Sequence, residues 1–389
     1  MKFNLRSLIW VGFFGRLIYA FYIWTFGSRF TGSDQGRFHG LAVKISENIP
    51  FDYEEVDQWG MFYAYFLSFF YTLTTPTELI GNLCAVLAWL FSAFILLRIL
   101  NMFSISYRNM LIVVALYILL PSSIINTSAG IRESYQLLFT NLSVYFALIY
   151  YYHKDIRALL LLFLSVWAAA VLHVTFILFG VVLVLVTLLF ATLESLRIKV
   201  FKALPFLLLG SIASLLLFSD YLYSVIGFNP DYEIMKAVLS FQEGSVLTGF
   251  DARATYKFFI PGEIGNIGSF GYLLYGFFQY LFEPMPWKIS SIFDVVLTLE
   301  NLLRATMIFL AVKALFVINE EDKKALILFL VGYFVIEFTF SVGTTNWGTA
   351  SRHHVPSIGL LLLLGITFRD YLQKSESSTI RGIKTLDSG

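Results

Sequence analysis

"LIWVGFFGRLIYAFYIWTFG", residues 8–27, holds twenty residues with a single charge, Arg16, and decides the fold class. A helix of about 20 apolar residues at 1.5 Å rise matches the roughly 30 Å hydrocarbon core of a bilayer. Runs of the same kind recur at 78–98, 109–128, 134–152, 203–222, 297–318, 325–343 and 355–368. The stretch 158–192 is too long for one helix and divides into two short ones at a tight turn in "LHVTF", residues 172–176. The expectation is an all-α, polytopic transmembrane bundle of about ten spans.

Composition agrees. Of 389 residues, 58% are hydrophobic and only 14% charged, too apolar a balance for a soluble domain. A net charge of +1 leaves no basic surface for nucleic acid. Cys84, as the one cysteine, excludes an intramolecular disulfide and reads as a small core residue. The first run follows basic residues and has no small-residue cleavage site, so it reads as an uncleaved anchor.

Two aromatic segments, 59–74 and 271–287, are shorter, rich in Tyr and Trp, and read as interfacial helices on the membrane surface. Lys and Arg in short loops then fix the orientation. With both termini cytoplasmic, Lys2/Arg6, Arg98/Arg108, Lys154/Arg157, Arg197/Lys199/Lys202, Lys323/Lys324 and the tail cations all lie inside. Residues 1–372 form the membrane domain and 373–389 a polar cytoplasmic tail. The outer face receives 28–77, the turn "TSAGIRES" (127–134), the turn at His173, the long loop 223–287, a candidate lid, and "TTNWGTASRHH" (344–354). The cytoplasmic loops are short and lack a glycine-rich phosphate loop, which places any chemistry outside.

Five outer groups carry titratable side chains. In "GSDQGRFHGLAVKISEN" (32–48), Ser33 caps a helix starting at Asp34, with Arg37 a turn on and His39 beyond. Asp34 reads either as a carboxylate on the helix dipole or as a general base at head-group depth. Arg132 and Glu133 are adjacent and do not face each other on a helix. They read as interface markers, or as a phosphate clamp and a second acid or metal ligand. His173 is a packing histidine or a functional one. Asn346, Arg352, His353 and His354 suit a phosphate group better than a metal, because neighbouring histidines point apart and no carboxylate lies within the segment. Arg253 and Lys257 sit among glycines in the candidate lid. Elsewhere, Glu300 and Arg304 stand four apart and are expected to pair, and Arg16 and Glu337 are expected to neutralise each other across two spans.

An acid in the first outer loop, interfacial helices behind it, the charged turn "AGIRES" and the polar turn "LHVTF" together resemble the GT-C superfamily of membrane glycosyltransferases. "EPMPWKISSIFDVVLTLEN" (283–301) and "NWGTASRHHVP" (346–356) are similar to O-antigen polymerase-like proteins. The resemblance implies a transferase fed by a polyprenyl-phosphate or polyprenyl-diphosphate sugar donor. It makes Asp34 the catalytic base, Glu133 the second acidic position, and Arg132, His173 and Arg352 the donor-phosphate contacts. Many members carry two adjacent acids where this chain has Asp34 followed by Gln35, which leaves a divalent metal open. Several carry a lysine where this hairpin has His173. Independently, nucleotide sugars need a cytoplasmic binding fold, whereas an outward-facing site takes its sugar from a lipid. The rival readings are a transporter or flippase of a lipid-linked saccharide, and a structural partner in polysaccharide assembly.

Overall fold

In the computed structural model of the chain, residues 4–27, 32–51, 58–195, 266–344, 346–367 and 369 are described. The expected span 203–222, the lid up to residue 265 with Arg253 and Lys257, and the tail 373–389 lie outside the described residues.

Every regular element among the described residues is helical. They are α1 (Leu5–Phe26), α2 (Gly32–Ser46), α3 (Gln58–Leu73), α4 (Glu78–Leu100), α5 (Tyr107–Leu119), α6 (Pro121–Thr127), α7 (Glu133–His153), α8 (Ile156–Leu172), α9 (Thr175–Ser195), α10 (Asn266–Phe282), α11 (Ile292–Leu315), α12 (Glu320–Gly343), α13 (Trp347–His353) and α14 (Ile358–Ile366). Polar residues set many of the starts. The side chains of Asn4, Ser106, Asp155, Ser291, Asn319 and Asn346 each accept a hydrogen bond from a backbone N–H of the first turn. Each satisfies one of the donors a helix end leaves open.

Five helices are long and apolar enough to cross a membrane: α1, α4, α9, α11 and α12. A sixth crossing arises if α5 and α6, bent by 54° at their junction, count as one. These are the marks of a multi-pass membrane protein, with fewer qualifying crossings among the described residues than the ten expected. The pair α8 and α9 breaks at the "LHVTF" turn as expected. The segment 355–368 differs: a 3₁₀ turn at Val355–Ser357 precedes α14, whose nine residues rise only about 14 Å. Every one of those nine is buried, packed against α5, α11 and α12. Broad apolar faces stay uncovered on α1 (Phe14, Ile18), α8 (Leu164, Trp167) and α11 (Leu299, Phe309), as lipid-facing helix surfaces do.

The bend between α5 and α6 explains two charges whose roles in the sequence reading need correcting. Pro121 has no N–H, so the carbonyl of Tyr117 loses its helical donor, and the turn frees the carbonyl of Ile118 and the N–H of Ser122 as well. The guanidinium of Arg16, fully buried in α1, donates to the Ile118 carbonyl at 3.0 Å and the Tyr117 carbonyl at 3.5 Å. Its Nε donates to Thr127 Oγ1 at 2.8 Å, and the group lies 3.7 Å from the centre of the Trp89 ring. Glu300 of α11 accepts from the freed Ser122 N–H at 2.9 Å. Arg16 therefore does not neutralise Glu337. Nor does Glu300 pair with Arg304, which turns instead to the Leu281 carbonyl and Asn301. Three polar groups that a helix break strands in an apolar bundle are restored by two charged side chains from neighbouring helices.

Candidate functional site

The C-terminal end of α1, the start of α7, the α8–α9 turn and α13 meet at one end of the bundle. The opposite end gathers cations: Lys154 and Lys324 both approach the ring of Tyr151. Asp34, Arg132, Glu133, His173 and Arg352 thus lie at the end away from Lys154 and Lys324.

Arg352, on the last turn of α13, is the hub. Its Nη1 contacts the carboxylate of Asp34 in α2, and its Nε lies 2.9 Å from Oε1 of Glu133, the first residue of α7. The Nε–H is not aimed at that carboxylate, so the second contact is an ion pair without an aligned hydrogen bond. Nε and Glu133 Oε2 are both buried without a hydrogen-bond partner. Glu133 sits at a helix N-terminus beside Arg132, which both favour its carboxylate, but burial outweighs them and raises its carboxyl to about 7. Burial lowers Arg352 to about 10, which keeps it cationic at neutral pH. Arg132 stands beside the cluster, donating to the Leu172 carbonyl at 3.1 Å and lying 5.0 Å from the centre of the Phe38 ring. With Glu133 ionised, two carboxylates and two guanidiniums sum to zero charge; with it protonated, the cluster carries one positive charge. Nothing in that balance favours binding a cation, whereas an incoming anion has two arginines to compete for.

The turn that presents Arg132 and Glu133 is positioned by Asn82 of α4. Its Oδ1 accepts from Gly130 N–H at 2.7 Å, while its Nδ2 donates to the Ala20 carbonyl of α1 at 3.2 Å. Gly130 lies against the backbone of Gly81, where an added Cβ would come within 3.1 Å of a carbonyl carbon. The sequence reading missed Asn82, although a buried asparagine in an apolar span is the available signal.

The histidines fall into three environments. His173 Nδ1 accepts from Thr175 N–H at 3.3 Å, so its hydrogen is on Nε2 and is the donor a ligand would meet. His353 stacks on Phe340, and its Nδ1 contacts Thr344 Oγ1 at 2.7 Å. That hydroxyl already donates to the Phe340 carbonyl, so Nδ1 carries the hydrogen and Nε2 offers a lone pair. Such a nitrogen suits a hydroxyl donor rather than a phosphate oxygen. Burial lowers His173 to about 3 and holds His353 well below 6.5, helped in both by neighbouring cations. The two expected phosphate contacts among them therefore act as neutral groups. His354 lies deeper, against Glu337 and the Tyr280 carbonyl.

The remaining expected residues are dispersed. Helix α2 begins at Gly32, so Ser33 falls inside its first turn rather than ahead of Asp34. Arg37 is exposed, His39 contacts Tyr71 Oη at 3.0 Å, and Asn346 caps α13. Around Glu133, the buried hydroxyls of Tyr63 and Tyr135 and the Oε1 of Gln35 lack hydrogen-bond partners. Among the described residues, no group of three or more His, Cys, Asp or Glu is placed to hold a metal. No family model matches the chain, and neither a curated protein nor a solved structure matches it.

Proposed function

We propose that this chain is an integral membrane glycosyltransferase of GT-C type, working on the outer face of the plasma (inner) membrane. It transfers a sugar or oligosaccharide from a polyprenyl-phosphate or polyprenyl-diphosphate donor to a saccharide or lipid-linked acceptor during cell-surface polysaccharide synthesis, either one sugar or one whole repeat unit at a time. The observation that supports this reading is the convergence of Asp34, Glu133 and Arg352 from three distant segments, with Arg132 alongside.

In this reaction the bond from the anomeric carbon to the donor phosphate oxygen breaks, and its electron pair stays on the phosphate. The acceptor hydroxyl oxygen forms the new bond to that carbon, and its proton goes to Asp34. Arg352 cannot serve both partners fully. When the donor phosphate takes the guanidinium, Asp34 is released as a free carboxylate, and the charge growing on the leaving phosphate is stabilised by Arg352 and Arg132.

The test is reconstitution of the full chain with lipid-linked oligosaccharides from cells lacking it, with products read by mass spectrometry. Asp34→Asn is expected to lower transfer at least a hundredfold while the protein still inserts and binds donor lipid. Full transfer by that variant refutes the reading. Ladders of whole repeat units identify a polymerase; a single added sugar identifies a simple transferase. The second reading, a transporter of a lipid-linked saccharide, is favoured by one observation, the ionisable Glu337 buried among the helices, and predicts movement of donor lipid without any new glycosidic bond.

A further inference from the structure

Glu337 and His354 take no part in the site above, yet both are buried and in direct contact. We propose that they form a proton-holding site inside the bundle, and that a small cavity beside them connects the proton to Glu283.

The argument is one of hydrogen counting. His354 Nε2 lies 3.2 Å from the Tyr280 carbonyl, which has only lone pairs to offer, so Nε2 carries a hydrogen. Nδ1 meets Glu337 Oε2 at 2.5 Å. Two bare lone pairs at that separation repel, so one further proton lies between the imidazole and the carboxyl. Ser357 donates its hydroxyl to Glu337 Oε1, which orients the carboxyl from the other side.

Both protonation states have a counter-charge. With the proton present, the pair is neutral as a whole. Once it leaves, the remaining carboxylate faces Arg304 of α11, whose charge acts on both Glu337 and His354. The other titratable groups nearby are Tyr333 on the same helix as Glu337, Tyr280 stacked on the His354 ring, His353 next in the chain, and Glu300.

The cavity is lined by Glu283, Glu300, Asn301, Arg304, Trp347 and His354, and has room for about one water. Arg304 Nε and Glu283 Oε2 are buried there without a hydrogen-bond partner. A water between them supplies what each lacks, and it meets His354 when the Nε2–H swings from the Tyr280 carbonyl into the cavity. Glu283 in turn is paired at 2.6 Å with Lys288, whose side chain reaches the surface. The route runs from the interior pair through the cavity to a solvated lysine.

Nuclear magnetic resonance of the full chain in lipid nanodiscs, with its histidines labelled with nitrogen-15, tests both parts. The expected result is a His354 with Nε2 protonated and a single titration shared with a carboxyl band in the infrared. Glu337→Gln should change the proton affinity of His354 at least tenfold. A His354 that stays neutral with Nε2 bare at every pH, or one indifferent to Glu337→Gln, overturns the site. If that variant does not fold, the tautomer and titration of the unmodified chain decide. Glu283→Gln should slow exchange of this proton with solvent at least tenfold while leaving the titration midpoint in place. Unchanged exchange overturns the cavity route.

Discussion

The guanidinium of Arg352 contacts the carboxylate of Asp34 across 318 residues of chain, and the same guanidinium lies against Glu133. One cation therefore ties α2 to the start of α7, and its removal leaves Glu133 in a buried site without its ion pair. Arg352→Gln is expected to destabilise the protein by about 3 kcal/mol, more than Asp34→Asn, because Asp34 is the more exposed partner. The double variant Glu133→Gln/Arg352→Gln should cost less than the sum of its parts. Thermal unfolding in detergent of the unmodified chain and the four variants, Glu133→Gln alone included, checks this. Simple additivity would mean that the ion pair carries no coupling.

The splint at the α5–α6 bend separates two charges by what each satisfies. Arg16→Leu strands the Tyr117 and Ile118 carbonyls and should lower stability by roughly 2–6 kcal/mol, at about 1–3 kcal/mol for each buried group. Glu300→Gln keeps an oxygen for the Ser122 N–H and should cost under about 1 kcal/mol, whereas Glu300→Leu should cost about 1–3 kcal/mol. Equal losses for the Gln and Leu variants would show that charge, not the accepted hydrogen bond, matters at Glu300.

Gly130→Ala removes no polar group, yet its Cβ meets the backbone of Gly81, which cannot swing aside. The turn must lift from α4, disturbing the Asn82 hydrogen bond and shifting Arg132 and Glu133. A loss of about 1–3 kcal/mol is expected, with a drop in transfer activity larger than stability alone explains. Activity measured at a temperature where both proteins are fully folded separates the two effects.

Acid should destabilise the fold through the enclosed histidines. Folded His173 is lowered to about 3 and His353 well below 6.5, so under acid the unfolded chain takes up protons that the folded chain refuses. Their contribution is complete above pH 6.5 and is lost as pH falls towards 3, at up to about 1.4 kcal/mol per pH unit for each histidine. Thermal unfolding across that window should show the slope, and His173→Gln should make it shallower. An unchanged slope in the variant would remove His173 as its source.

The sequence by itself determined the solvent and the parts. Apolar runs of bilayer length demand helices that satisfy their own backbone, and nearly every one of those runs that is described is helical. The hairpin break at residues 172–176 was legible because 35 apolar residues exceed one crossing. The titratable turns were legible because charge is rare in such a chain. Tertiary structure alone decided the partners. Arg16, Glu300 and Glu337 looked like charges seeking opposite charges, but Arg16 and Glu300 answer backbone groups exposed by Pro121, and Glu337 answers a histidine. Which of these residues meet was likewise unreadable: Arg352 turns to Asp34 and Glu133, while Arg37, one turn after Asp34, stays exposed. The physical reason is that hydropathy depends on each residue's own transfer energy, a local property, whereas the pairing of buried polar groups depends on which atoms the packed helices bring within hydrogen-bond reach.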